Sequence, residues 1–159
     1  MSDGKSTDDK VNWDGFIARF HPVFELPGAV LVDYERSFSP QECILLKGGY
    51  LFGDDDGKWI ILPVDNTLYF YGLLMKLCFV LRFEAEGQGW KTSEIQWYRD
   101  VFRCDDAERV SRVVTFLVDL LLLKKEAQCP FPKDLPKDIR TQGLYRFSLV
   151  GNATAPGNS

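Results

Sequence analysis

The chain has 159 residues, close to the commonest size of a single domain, and 45% of them are hydrophobic, which is enough for one sizeable core. Its net charge is −4, with 19 Lys and Arg against 23 Asp and Glu, and no basic stripe stands out, which argues against nucleic acid as a partner. We predict one globular domain over residues 11–150, between disordered tails at residues 1–10 and 151–159.

The amino terminus and the cysteines indicate the compartment. The first residues, MSDGKSTDDKVNW, lack the apolar run of a secretory signal. Cys43, Cys78, Cys104 and Cys129 lie far apart and form no CxxC pair, so we predict buried thiols rather than disulfides or zinc ligands. These features predict a cytoplasmic protein with no membrane segment, no metal and no cofactor.

The first part of the chain predicts a short helix followed by a strand. Residues 12–20, NWDGFIARF, predict a helix that ends before the His-Pro pair, because proline disfavours helical geometry in the residue before it. Residues 28–35 predict a strand, because apolar side chains alternate there at Val30, Val32 and Tyr34.

A glycine- and aspartate-rich turn between two apolar, β-prone runs predicts a hairpin over about residues 42–64. Its two arms are predicted at Ile44 to Phe52 and at Trp59 to Val64. Pro63 cannot donate to a sheet ladder, so the second arm is expected to lie at an edge or to end there.

The stretch YFYGLLMKLCFVLRF, residues 69–83, is strongly apolar but shorter than the roughly 20 residues of a membrane span, and it contains Lys76. We predict a buried helix over about residues 67–84, with a broad stripe of leucines toward the core. A strand pair with a turn near Gly72 is the alternative, because Phe, Tyr, Val and Cys are not strong helix formers.

Two more helices are predicted in the second half. Ile95, Tyr98 and Phe102 have helical spacing. The clearest helix runs from Asp106 to Lys125, capped by Asp105. Its second half is apolar nearly all round, so we expect it to be covered either by this domain or by a partner. If Leu122 and Leu123 are exposed, we expect a homodimer through this helix.

The last part of the chain predicts a rigid connection and a final strand. Three prolines between Pro130 and Pro136 exclude a regular helix or a central strand there. Residues 143–151, GLYRFSLVG, alternate in polarity and predict a strand. The expected fold is therefore α+β: a small antiparallel sheet built on the hairpin at about 42–64 plus the C-terminal strand, packed against two or three helices.

The search for catalytic chemistry is negative. The single histidine, His21, precedes a proline and has no nucleophile beside it, and no GxSxG motif occurs. The run GDDDGK, residues 53–58, has the wrong glycine spacing for a phosphate loop, and Phe52 and Pro63 stand where a calcium loop needs ligands. No residue is therefore predicted to be catalytic.

Two sets of residues are candidates for binding another protein. The first is Asp54, Asp55 and Asp56 at the hairpin tip, either a solvated turn or a contact for a partner with a basic surface. The second set, an aromatic and arginine patch of the kind that dominates interfaces, consists of Trp90, Trp97 and Arg99. The structural alternative for the second set is that Trp97 or the adjacent Tyr98 faces the core.

The favoured hypothesis is a non-catalytic cytoplasmic protein that acts by protein–protein binding. An inhibitor, an immunity or anti-defence factor and a dedicated chaperone, from a bacterium, plasmid or phage, all fit this hypothesis. The alternative is a small enzyme or ligand-binding domain with a site of dispersed carboxylates and a pocket under the predicted 67–84 helix.

Overall fold

The computed structural model describes residues 28–51, 59–72, 76–104 and 106–150. This part of the chain contains a seven-stranded antiparallel sheet and three α-helices, which confirms the predicted α+β class. The elements in chain order are β1 (Val30–Phe38), α1 (Pro40–Gly48), β2 (Tyr50–Leu51), β3 (Ile60–Val64), β4 (Thr67–Tyr71), β5 (Leu77–Arg82), β6 (Glu84–Glu86), β7 (Gly89–Trp97), α2 (Ala107–Leu117) and α3 (Ile139–Val150). The strand order is β1-β7-β5-β4-β3-β2, and β6 pairs with β7. The predicted helix at 12–20 and both predicted tails lie outside the described residues.

Strand β1 forms as its alternating pattern predicts. Val32 and Tyr34 are buried on one side, whereas Leu31 and Asp33 are exposed on the other. The strand pairs antiparallel with β7, and a bulge interrupts the ladder between Asp33 and Arg36. Because Arg36 lies on the inner side, its guanidinium reaches the helix layer, as described below.

The strand predicted as the first arm of the hairpin is wrong over most of its length, because residues 40–48 form the helix α1. Ser39 and Glu42 make a reciprocal capping box: the Ser39 Oγ accepts from the Glu42 N–H at 3.1 Å, and the Glu42 carboxylate accepts from the Ser39 N–H at 2.9 Å. This cap starts a helix despite the β-prone residues that follow. Only β2 remains of the predicted arm.

The second arm of the hairpin is confirmed as β3. It pairs antiparallel with β2 at only two positions, Ile60 and Ile61. Pro63 lies beyond them, where β3 pairs with β4 alone, so the missing N–H costs no ladder bond on the β2 side. The glycine- and aspartate-rich turn, with Asp54, Asp55 and Asp56, lies outside the described residues.

The predicted 67–84 helix is wrong, and the alternative is correct: β4 and β5 form an antiparallel pair, with Phe70 opposite Phe79. These strands lie inside the sheet between β3 and β7; β5 is buried on both faces as far as Leu81, and β4 alternates half-buried and buried residues up to Phe70. A strand buried on both faces reads as a continuous apolar run, which periodicity cannot distinguish from a buried helix. Lys76 is exposed just before β5.

The helix predicted from Ile95, Tyr98 and Phe102 is also wrong. Residues 89–97 form β7, a strand that pairs with β1 on one side and with β5 and β6 on the other. After it, the N–H groups of Val101 and Phe102 both donate to the Tyr98 carbonyl, so the chain makes a single turn rather than a helix.

The predicted 106–125 helix is confirmed as α2, although it starts one residue later than expected. Asp106 rather than Asp105 is the N-cap, and its carboxylate accepts from the Arg109 N–H at 2.9 Å. A π-helical turn, Val118–Leu122, continues α2. Leu122 and Leu123 are buried within the chain, so the condition for the predicted homodimer is not met.

The predicted C-terminal strand is wrong, because residues 139–150 form α3. Asp138 starts this helix: its carboxylate accepts from the Thr141 N–H and from the Thr141 hydroxyl, each at 2.8 Å. The alternation of polarity over residues 144–149 was too short a pattern to exclude a helix.

The three helices pack on one face of the sheet around the main core, which includes Ile61, Phe79, Ile95, Val114 and Leu117. The opposite face carries a second, smaller cluster of buried residues, namely Ile60, Leu62, Tyr71, Leu77, Val80 and Tyr98. The longest described helix has 12 residues, and none of the described helices is long and apolar enough to span a membrane.

Candidate interaction surfaces

Trp97 and Arg99, two of the residues of the predicted patch, lie together, but the indole belongs to the core. Trp97 is only 4% exposed, and its Nε1 donates to the Phe102 carbonyl at 2.8 Å. The Arg99 guanidinium lies 5.6 Å from the Trp97 ring centroid and covers it. A shallow groove of about 350 Å³ remains here, lined also by Asp100 and Arg103. The accessible part of this site is therefore arginine and not tryptophan.

Trp90 lies at the other end of β7 and does not join that site. Seven residue steps along an extended strand, roughly 23 Å, separate it from Trp97. The half-buried Trp90 ring stacks on Phe83 with 4.9 Å between centroids, and the Lys47 Nζ lies 5.2 Å from its centre. The predicted three-residue patch is therefore two separate surfaces.

An exposed apolar stripe runs along α1 near Trp90. Ile44 is 70% exposed and Leu45 is 43% exposed, and both lie on the helix face that also contains Gln41 and Gly48. Two exposed apolar side chains are common on soluble proteins, so this stripe by itself indicates no partner.

A larger groove, which the sequence did not predict, lies beside α2. After the π-helical turn the chain reverses and runs back along α2. The Lys125 N–H donates to the Asp119 carbonyl at 2.8 Å, and nearer the start of the helix the Arg109 Nε donates to the Pro130 carbonyl at 3.3 Å. The groove between α2 and this returning segment, together with its extension toward α3, is called the α2 groove below.

The α2 groove has two halves that share Arg112, Gln128 and Cys129. The first, of about 480 Å³, is the mixed half. It contains hydroxyl groups and both signs of charge, with Asp119 and Glu126 among its lining residues. Asp119 accepts from the Arg36 guanidinium at 2.6 Å, an ion pair that ties the groove wall to β1.

The second half, of about 370 Å³, is the cationic half. Its described lining contains three cationic side chains, Arg112, Lys133 and Lys137, and no carboxylate. Phe131 and Leu135 supply apolar surface between the charges, and amide groups are also present. A concave surface of this kind favours a ligand that carries negative charge and some apolar surface.

Hydrogen bonds tie the wall formed by α3 to the rest of the fold near its middle and at its end, and the Arg146 guanidinium lies 5.7 Å from the Phe116 ring centroid of α2. The buried Arg109 side chain donates from Nη2 to the Tyr145 hydroxyl and from Nη1 to the Cys104 Sγ at 3.4 Å. At the end of α3, the Trp59 Nε1 donates to the Leu149 carbonyl at 2.7 Å. These contacts position α3 and, through the packing of Phe131 on Tyr145, the floor of the cationic half.

Three of the four cysteine thiols, those of Cys43, Cys78 and Cys129, do not have the properties of nucleophiles. Burial raises the pKa of Cys129, in the α2 groove, to about 11, and the nearby Arg146 and Arg109 offset this only in part. Burial likewise raises the pKa of Cys78 to about 12 and also raises that of Cys43. A thiol with a raised pKa is protonated at neutral pH and therefore a poor nucleophile.

The described carboxyl groups with shifted pKa values cap helices. Hydrogen bonding to the Ser39 N–H lowers the pKa of Glu42, and hydrogen bonding to the Thr141 N–H lowers that of Asp138. General acid catalysis needs a raised carboxyl pKa instead.

Within the described residues, no three side chains that could ligate a metal lie together. The pocket predicted under a 67–84 helix has no basis, since that segment forms β4 and β5.

The charge of the chain is unevenly divided. Residues 1–98 contain 9 Lys and Arg against 15 Asp and Glu, whereas residues 99–159 contain 10 against 8. The α2 groove thus belongs to the positively charged part of an acidic chain. Sequence reasoning missed the groove because its cations, Arg112, Lys133 and Lys137, are separated in sequence by a helix end and a proline-rich segment.

We compared the chain with models of protein families, with curated proteins and with solved structures, and none of the three comparisons gave a match.

Proposed function

We propose that the protein acts without catalysis, in the cytoplasm, by binding another protein through the α2 groove. The observation that carries this proposal is the continuous groove beside α2, in which cations and apolar side chains converge. The carboxyl groups of Glu42 and Asp138 and the thiol of Cys129 have pKa values shifted away from those that catalysis uses, so these three groups are not candidates for acid–base or nucleophilic roles.

The surrounding structure is suited to a binding surface. Open grooves that mix apolar surface with a few polar groups are common sites for segments of other proteins. Here α2 forms one wall and is held by its buried side. The opposite wall is the returning segment with α3, which is held by a small number of contacts and can adjust to an occupant.

The cytoplasmic location is part of the proposal. All four cysteines are thiols, and three of them are buried. Thiols persist in reducing compartments, where disulfides are rare. An inhibitor, an immunity factor and a dedicated chaperone each act by protein binding and are consistent with the proposal.

Recognition of a basic surface by the acidic turn stays a prediction, since Asp54, Asp55 and Asp56 lie outside the described residues. Such a contact would be additional to the α2 groove. It would use the negatively charged part of the chain, whereas the groove uses the positively charged part.

The test is capture of the partner from the native host with the full chain as bait. Gln128 is exposed and lines both halves of the groove, so Gln128→Trp blocks the groove without changing charge. Gln41→Trp, on the exposed face of α1, is the matched control. We expect the wild type and Gln41→Trp to retain one stoichiometric partner and Gln128→Trp to lose it. Equal capture by Gln128→Trp, or no stoichiometric partner, would contradict the proposal.

A further inference from the structure

We infer that the segment bound in the α2 groove is acidic and extended, with carboxylates over Arg112, Lys133 and Lys137 and an apolar side chain on Phe131 and Leu135. This inference rests on the proposed function and names the chemistry of the partner.

The cationic half selects for negative charge because its cations come from different elements and converge on one concavity. Arg112 projects from α2, whereas Lys133 and Lys137 project from the segment that precedes α3, and all three side chains are exposed. Three like charges around one groove repel each other in the unbound protein, and a bound anion removes that repulsion.

The acidic residues next to these lysines do not neutralise the groove. Asp134 and Asp138 follow Lys133 and Lys137 directly in sequence, but neither lines the cationic half. The Asp138 carboxylate is engaged by the backbone and hydroxyl of Thr141 at the start of α3. Its carboxylate is therefore held at the helix end and does not line the groove.

The apolar floor distinguishes a protein segment from a simple anion. Phe131 and Leu135 are half-buried, which leaves part of each side chain available to a ligand. Phe131 is held in place by Tyr145, with 5.8 Å between the ring centroids. An acidic segment with an apolar residue between its carboxylates matches both features, because alternate side chains of an extended chain can contact the floor and the rim.

Nucleic acid fits this groove less well than a protein segment. The whole chain has a net charge of −4, and residues 1–98 have an excess of six negative charges that would repel a phosphate backbone. Three exposed cations would contact only a few phosphates, and a phosphate backbone would offer no apolar group to Phe131 and Leu135.

The direct test is to titrate the isotopically labelled full chain with a defined peptide and to measure the amide chemical shifts by NMR. The probe is acetyl-Glu-Asp-Leu-Glu-Asp-Phe-Glu-amide, and the neutral peptide with Gln and Asn in place of Glu and Asp is its control. We expect saturable shifts at the residues lining the cationic half, which weaken as salt rises, and no saturable shifts with the neutral peptide.

Matched charge variants locate the contact. Lys133→Glu with Lys137→Glu should raise the peptide Kd by about 10-fold or more, because it reverses two of the cations in the groove. Lys76→Glu with Lys91→Glu makes the same change in net charge away from the groove and should leave the Kd within about twofold. Equal weakening by both pairs, no saturable shifts, or tighter binding of a single-stranded oligonucleotide of equal charge would overturn the inference.

The same variants separate this inference from the proposed function. If the partner captured from the host is lost with Gln128→Trp but kept with the Lys133→Glu and Lys137→Glu pair, the groove binds a partner that is not acidic, and only the inference fails. If Gln128→Trp also keeps the partner, the proposed function fails.

Discussion

Helices α2 and α3 form opposite sides of the same groove and are stabilised in different ways. Of the eleven residues of α2, six are buried: Arg109, Val110, Val113, Val114, Phe116 and Leu117. In contrast, α3 buries Leu149 and Val150 in its last turn, and Ile139 and Leu144 are exposed. One wall of the groove is therefore part of the main core, whereas the other depends on a few specific contacts. A groove built in this way can keep its position while its outer wall adapts to a ligand.

The largest expected difference between the two helices concerns their leucines. Leu117 is fully buried in α2, so Leu117→Ala should lower the free energy of unfolding by about 2–5 kcal/mol through lost burial and a cavity. Leu144 in α3 is 64% exposed, and Leu144→Ala should change it by less than about 0.5 kcal/mol. Chemical denaturation measures the free energy of unfolding of both variants. Similar losses in the two variants would show that Leu144 is also part of the core.

The next effect concerns Arg109, the side chain that links the two helices. Arg109→Met removes the hydrogen bonds to the Pro130 carbonyl and the Tyr145 hydroxyl. It should lower the free energy of unfolding by about 1.5–3 kcal/mol. Amide hydrogen exchange should increase in α3 more than in the sheet. Arg112→Met, on the exposed side of α2, is the control and should cost less than about 0.5 kcal/mol. Unchanged exchange in α3 would mean that Arg109 does not hold this helix.

A smaller effect is expected at the other end of α3. Trp59→Phe keeps an aromatic ring against Phe79 but loses the hydrogen bond to the Leu149 carbonyl, at a cost of about 1–2 kcal/mol. Trp97→Phe is the matched control, because Trp97 is equally buried but donates to Phe102 instead. Exchange of the α3 amides should rise only in Trp59→Phe; a rise in both variants would indicate general destabilisation.

One substitution should strengthen α3. Gly143 lies within the helix, and an added Cβ would meet no atom within 4 Å, so Gly143→Ala should stabilise the protein by about 0.5–1 kcal/mol. Gly87 has a φ of +63° in a turn, and Gly87→Ala should destabilise the protein by about 1 kcal/mol. Thermal denaturation of the pair should therefore give shifts of opposite sign. A destabilising Gly143→Ala would exclude a helical state of this segment in solution.

The smallest expected effect is the pH dependence of the start of α3. Hydrogen bonds from Thr141 lower the pKa of Asp138 in the folded protein. The cap therefore stabilises α3 when the pH is above the pKa of Asp138 in the unfolded chain. This stabilisation is lost as the pH falls through the lower pKa of Asp138 in the folded protein. NMR titration of Asp138 should give a midpoint below its ordinary value of 3.8. Asp138→Asn keeps a capping side chain but should remove this pH dependence. A midpoint at or above 3.8 would show that the cap is absent.

The sequence by itself determined the elements that bury one face. The alternation in β1 and the apolar stripe of α2 each report a single buried side, and both elements form as predicted. The α+β class follows from these signals together with the apolar runs that became the sheet. The prediction of buried cysteines holds for Cys43, Cys78 and Cys129, whereas Cys104 is only half-buried.

For other segments, only the tertiary structure decided whether a strand or a helix forms, because the residues that contact these segments are distant in sequence. Strand β5 is buried on both faces as far as Leu81, so its apolar run carried no period to identify a strand. The state of α3 depends on Arg109 and Trp59, which lie 36 and 90 residues from their partners in the chain. The cationic half of the groove exists for the same reason, because the chain reversal after α2 brings Lys133 and Lys137 beside Arg112. Local patterns report how one segment is buried, whereas a groove is formed by segments that meet only after folding.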